Sequence, residues 1–257
     1  PFMTYQMFDD NYENAIYPAL GLEVFHNFTL LHDDIMDNAP IRRGQKTVHE
    51  KWDANTAILS GDVMLVGAYQ LFLKNHRGDL HTILSKFTEC AKDVCEGQRY
   101  DMKLESLDNV AESEYLNMIR LKTAVLLGFS MELGALLAGA DDAICRELYE
   151  FGINVGLGFQ LKDDLLDAYA ENAKFGKQIG GDIISNKKTY LLIKAKELAN
   201  GQVKTDLDFW LGQKQFDPTE KINAVIDIYN KLGIKELSEQ RMNHYFDKGL
   251  ALLDALE

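Results

Sequence analysis

Thr29-Leu30-Leu31-His32-Asp33-Asp34-Ile35-Met36-Asp37 is the stretch on which the reading of this sequence turns. Upstream of it, from about residue 14, apolar residues recur at three- and four-residue spacing, the period of a helix face. Residues four apart on a helix lie on one face about 6 Å apart, so Asp33 and Asp37 pair. A second pentad of the same form, Asp163-Asp164-Leu165-Leu166-Asp167, follows Gly158-Phe159-Gln160-Leu161-Lys162 and pairs Asp163 with Asp167. Both place acidic groups at the ends of largely apolar helices, where burying a charge without a counter-ion costs several kcal/mol.

The same periodicity runs through the rest of the chain. There are four prolines and no alternating Val/Ile/Thr run of strand length, so the class is all-α. Helices are predicted at about 14–37, 55–75, 79–103, 113–139, 142–170, 188–199, 219–231 and 235–255. Asp79, Ser113, Asp142 and Asp217-Pro218 read as helix starts, Gly78 and Gly233 as stops. Several of these helices are long but lack a heptad seam, which predicts that they pack together as one large bundle, a single domain over residues 1–257. Three polar stretches, 38–44, 106–109 and 171–186, read as loops.

Composition excludes several classes. A formal charge of −13 argues against a nucleic-acid surface, which needs clustered Lys and Arg. Three cysteines without a CxxC suggest neither a disulfide framework nor a zinc site; they read as small buried hydrophobes in a reducing cytoplasm. The most apolar run, 124–140, contains Glu132 and three glycines and reads as a core helix, so no transmembrane segment is expected. The chain opens on Pro1-Phe2-Met3 and enters a helix almost at once, so the reading expects a further N-terminal segment ahead of it.

Oxygen-only ligands in two like-charged pairs suit Mg²⁺, with Mn²⁺ as substitute, and Mg²⁺ characteristically bridges a few carboxylates to substrate phosphates. One such pair alone is matched by a solvated acidic helix face; two identical pentads, each followed by a basic or glycine-bearing loop, are not. Glu23-Val24-Phe25-His26 is a Glu-x-x-His of the kind used twice in di-iron bundles, but it has no second copy. The basic groups lie where a diphosphate would need them. Arg42-Arg43-Gly44 follows the first pentad, Lys122-Thr123 interrupts an apolar helix, and Lys177 and Lys187 flank Gly180-Gly181-Asp182 after the second pentad. His26, seven residues before Asp33, points toward the same end.

Taken in order, the stretches 26–37, Arg42-Arg43-Gly44, Gly61-Asp62, Lys122-Thr123, 159–167 and 176–182 resemble the trans-isoprenyl diphosphate synthases, the family that includes farnesyl and geranylgeranyl diphosphate synthases. The resemblance implies an all-α homodimer, each subunit an antiparallel bundle around a central cavity, that condenses isopentenyl diphosphate with an allylic diphosphate by ionisation, condensation and elimination, using about three Mg²⁺ ions. It implies Asp33, Asp37 and Asp163 as metal ligands, with Asp34 and Asp167 in support. Arg42, Lys122, Thr123, Gln160, Lys177 and Lys187 match groups that hold the allylic diphosphate, and His26 and Arg43 match groups that hold isopentenyl diphosphate. The family's upstream Gly-Gly-Lys-x-x-Arg element is absent from these 257 residues and is expected in the preceding segment.

Two arguments bear on product length. Helical geometry puts Thr29 below Asp33, whereas the family's pattern singles out Phe28, five before it; an aromatic there resembles short-chain enzymes and implies C15 to C20 products, leaning to C20. A class I terpene cyclase and a non-catalytic subunit of a prenyl synthase are the rival readings. A cyclase usually mixes Asn, Ser and Glu in its second motif, and a regulatory subunit tends to lose a pentad.

Overall fold

The computed structural model describes residues 1–170 and 180–256 and is helical almost throughout. In chain order the helices are α1 (Phe2–Tyr5), a 3₁₀ turn (Tyr12–Ala15), α2 (Ile16–Met36), α3 (Val48–Lys51), α4 (Ala54–Phe72), α5 (Leu80–Glu105), α6 (Glu112–Ile119), a π-helical segment (Arg120–Ala124), α7 (Val125–Ala138), α8 (Asp142–Tyr169), α9 (Gly181–Ser185), α10 (Tyr190–Leu198), α11 (Gly201–Gly212), α12 (Pro218–Lys231) and α13 (Ile234–Asp254). The chain falls into two compact units.

The first unit comprises residues 1–92, 126–152 and 252–257. Its centre is a cluster of aromatic rings, in which Phe87 meets Phe25 edge-on at 5.2 Å and Phe72 at 4.4 Å, with Phe129 at 6.0 Å. α2 lies close along α4 because Gly21 has no side chain: a Cβ there would stand 3.1 Å from the Phe72 ring and from the Ala68 carbonyl. One buried carboxylate crosses this core, Glu132, which is bonded to Lys86 at 2.6 Å.

The second unit comprises residues 93–125 and 153–251. Leu165, Ile183, Leu191, Leu192, Val225 and Ile228 form its core. Glu112 at the start of α6 binds both Lys194 and Arg241 at 2.7 Å, tying α6, α10 and α13 together.

Several boundaries differ from the sequence reading. Asp79 and Asp217 do cap α5 and α12, accepting from Thr82 and from Thr219 and Glu220, and Gly78 and Gly233 take left-handed φ of 67°. The α6 start lies at Ala111, with the Glu114 carboxylate reaching back to its N–H, and Asp141, not Asp142, caps α8. α11 was not expected, because Gly201 and Gly212 at its ends are poor helix formers and hid the apolar face at Leu207. The loop after the first pentad is a two-stranded hairpin, β1 (Ile41–Arg42) with β2 (Gln45–Lys46), closed by Arg43 and Gly44 at φ 52° and 75°. Positive φ at both central residues is the type I′ geometry that suits a two-residue hairpin. Of the cysteines, Cys90 and Cys145 are buried as expected and Cys95 is exposed. Glu112–Ala138 is long and apolar enough by composition to cross a membrane, and 56% of its most apolar window is buried within the protein.

Candidate active site

Both pentads close a helix at its C-terminal end. Asp33 and Asp34 lie in the last turn of α2 and Asp37 is its cap residue; Asp163, Asp164 and Asp167 lie in the last two turns of α8. Carboxylates belong by preference at the N-terminal end, where the helix dipole is positive, so three acids at each negative end call for positive charge nearby.

In each pentad the second aspartate is the buried one: Asp34 is 5% exposed and Asp164 is 4% exposed. Asp34 Oδ1 accepts from Arg42 Nε at 2.8 Å, and the same guanidinium reaches Asp33 Oδ2 at 3.4 Å. Burial nevertheless outweighs Arg42 and raises the Asp34 carboxyl above its ordinary range. The hairpin supplies this arginine: Ala39 N–H donates to the Asp34 carbonyl and Thr47 Oγ1 to the Ala39 carbonyl, so the strand pair folds back over the helix end. Arg43 sits at the hairpin tip and is exposed.

Asp164 is held from both sides. Tyr115 donates its hydroxyl to Oδ2 at 2.5 Å, and Gln160 Nε2 donates to Oδ1 at 3.2 Å; Thr123 in turn donates to Gln160 Oε1 at 3.1 Å. Burial pushes the Asp164 carboxyl up to about 7, with the Asp182 charge adding to it, and burial likewise drives the Tyr115 hydroxyl well above its ordinary value. In an α-helix, residues eight apart point about 80° from one another. The wider π turn at Arg120–Ala124 draws Tyr115 and Thr123 toward one face, so both meet the Gln160–Asp164 pair.

Lys122 lies in that π segment and donates to Asp101 Oδ2 at 2.7 Å. The backbones of α5 and the π segment touch there: a Cβ on Gly97 would fall 2.2 Å from the Lys122 nitrogen. Asp167 is fixed by the start of α9, accepting the Asp182 N–H on its carboxylate at 3.0 Å and the Gly180 N–H on its carbonyl at 2.8 Å. Lys187 stands 3.8 Å from Asp182. Lys177 lies outside the described residues.

His26 is half-buried, its Nδ1 3.8 Å from Glu23. Phe28 is buried, 5.6 Å from the Phe25 ring and 4.7 Å from the His32 ring. Thr29 is half-buried and donates its hydroxyl to the His26 carbonyl at 2.8 Å, so the polar end of that side chain turns back onto its own helix. His32 bonds the Ile58 carbonyl at 3.1 Å and occupies the space that a side chain at Gly61 would fill, 2.3 Å from its Cβ.

The donor set fits Mg²⁺. Among the described residues no group of three or more His, Cys, Asp or Glu side chains converges as a full metal cage. Mg²⁺ does not ask for one, since it keeps several waters and takes one or two carboxylates together with phosphate oxygens. Asp34 is turned to Arg42 and Asp164 to Tyr115. Tyr115 and Asp101 were not identified from sequence, and Asp182 figured only as part of the glycine-bearing stretch, without a role. Gly97 was the available signal for Asp101, as a glycine within a helix often marks a close backbone approach, whereas 49 residues separate Tyr115 from Asp164.

A family model described as polyprenyl synthetase matches residues 2–229, a range that runs through both units. A geranylgeranyl pyrophosphate synthase of Geoglobus acetivorans is 44% identical over 73% of this chain, which spans 59% of that relative's length. A crystal structure of a geranylgeranyl pyrophosphate synthase superposes with a TM-score of 0.94 at 42% identity, covering 99% of this chain and 79% of the other. A polyprenyl synthase from Caulobacter crescentus CB15, solved with calcium and isoprenyl diphosphate, gives a TM-score of 0.89 at 26% identity over 98% of this chain and 76% of the other. The chain therefore belongs to the polyprenyl synthetase family, the trans-isoprenyl diphosphate synthases.

Proposed function

We propose that this chain is a Mg²⁺-dependent short-chain prenyltransferase, a single polyprenyl synthase domain that condenses isopentenyl diphosphate with an allylic diphosphate. The observation that supports the proposal is the parallel treatment of the two pentads: in each the second aspartate is buried and bonded to protein, Asp34 to Arg42 and Asp164 to Tyr115 and Gln160. Asp33, Asp37, Asp163 and Asp167 would hold the metal. Mg²⁺, when bound, supplies Lewis-acid stabilisation of the departing diphosphate.

The protein's own groups do the rest. Arg42, Lys122 and Lys187 neutralise diphosphate oxygens, exchanging some of their present contacts with Asp33, Asp101 and Asp182 for the substrate. Thr123 and Gln160 add hydroxyl and amide donors, and Lys177 is proposed for the same service. His26 and Arg43 are assigned to isopentenyl diphosphate. Apolar walls keep water from the allylic cation, and Phe28 is the proposed floor for the growing tail; relatives named for geranylgeranyl products support the C20 end of a C15 to C20 range. We also propose a homodimer, supported by Leu59, Val63 and Val66, three exposed apolar residues along one stripe of α4.

The test is elongation by the full-length protein given Mg²⁺, isopentenyl diphosphate and each of the C5, C10 and C15 allylic diphosphates, with product sizing. Longer diphosphates are expected, and Asp33→Ala should lower the rate roughly 100-fold or more. Hydrocarbon from the allylic substrate alone would point to a cyclase, and no turnover to a non-catalytic subunit.

A further inference from the structure

Lys221 is a fully buried lysine, 0% exposed, in the second turn of α12. An ammonium placed there runs against burial and against the positive end of the helix dipole at once. Its partners are neutral: it donates to the Ile184 carbonyl at 3.1 Å and to Asn186 Oδ1 at 2.7 Å, and it lies over the Phe216 ring at 4.3 Å. A buried site on this face, with Val225 and Ile228 following, would be filled at less cost by an apolar side chain. Its placement therefore asks what those two bonds hold.

They hold the end of α9. Asn186 takes a left-handed φ of 55° and its N–H closes α9 onto the Asp182 and Ile183 carbonyls, while its amide nitrogen donates to the Leu211 carbonyl at 3.1 Å. With Lys221 on the oxygen and Leu211 on the nitrogen, the amide is fixed in one orientation. The next residue is Lys187, whose N–H donates to the Asp182 carbonyl at 2.9 Å, and Asp182 N–H is the donor to Asp167. The following residue of α12, Ile222, packs on Gly180 at the other end of α9, where a Cβ would stand 2.7 Å from Cδ1. α12 thus grips α9 at both ends.

We propose that Lys221 is a positioning residue that acts through Asn186 to set Lys187 and the Asp182 N–H against Asp167, and so tunes diphosphate affinity at the second pentad. The proposal rests on the prenyltransferase reading for its ligand, and it makes no claim that Lys221 touches substrate.

The experiment compares the wild-type full chain with Lys221→Met, Asn186→Gly and the double variant. Glycine keeps the left-handed backbone at 186 but removes the amide. Two readouts are taken: calorimetric affinity for inorganic pyrophosphate with Mg²⁺, and hydrogen exchange of the Asp182 amide without metal. Each single variant is expected to bind pyrophosphate about tenfold more weakly, the range in which groups behind a metal ligand act, and the double variant no more weakly than either. The Asp182 amide should exchange faster in both. Wild-type affinity in both variants, or losses that multiply in the double variant, would overturn the proposal. Should Lys221→Met fail to fold, Asn186→Gly decides the matter on the same readouts. A wild-type chain that elongates nothing, while its variants lose pyrophosphate affinity in this coupled way, sinks the prenyltransferase reading and keeps the positioning role. Normal elongation with unchanged affinity in the variants does the reverse.

Discussion

Phe28, proposed as the floor for the growing tail, is also a packing residue. Its ring is buried against Phe25 and meets His32, the residue before Asp33, edge-on. Phe28→Ala is therefore expected to lengthen the product, read by sizing radiolabelled diphosphates, and to destabilise the fold by about 3–5 kcal/mol, read by denaturant titration. Unchanged product length would remove Phe28 from the specificity role and favour Thr29. At this scale the sequence was informative where residues act near their neighbours in the chain. The pentads were legible because the same acidic pattern occurs twice, each time at the end of an apolar helix and followed by a basic or glycine-bearing loop. Arg42 was legible because it follows directly. The division of labour inside each pentad was not: only burial and the partners Arg42, Tyr115 and Gln160 show that Asp34 and Asp164 face the protein.

Helix contacts at the level of whole elements depend on residues whose meaning is invisible without a partner. Gly97 reads as a weak point in α5 until the Lys122 backbone is seen against it. Gly97→Ala is expected to push the π segment off α5, because the three nearest atoms all belong to backbone, and to disturb the Lys122–Asp101 bond. The expected signs are a fall of several degrees in Tm and a raised KM for the allylic substrate with little change for isopentenyl diphosphate; equal changes in both KM values would mean that the damage is general. The period of apolar residues gave most of the helices their place, since period depends only on the local order of residues. It could not reveal α11, whose ends are glycines, or the hairpin, whose strands are two residues each. It also read residues 113–139 as one uninterrupted helix, because a π turn changes hydrogen bonding without changing the apolar pattern.

Across the molecule, stability should respond to pH through Glu132. Burial outweighs its bond to Lys86 and holds its carboxyl above the ordinary range, so the folded protein keeps a proton at a pH where the unfolded chain has lost it. That contribution is full below the unfolded value of about 4.3 and is lost as pH rises through the folded value. Tm measured by calorimetry for wild type minus that for Glu132→Gln should accordingly fall as pH is raised from the ordinary carboxylate range upward; a flat difference would show that Lys86 compensates the buried charge fully. The π turn carries a consequence of another kind. The alignment of Tyr115 with Thr123 on the Gln160–Asp164 pair depends on the count of residues between them, not only on their identity. In the gene, that count is a matter of single codons: point mutations leave the phase intact, whereas losing one codon from this turn would swing the two contacts apart in a single step.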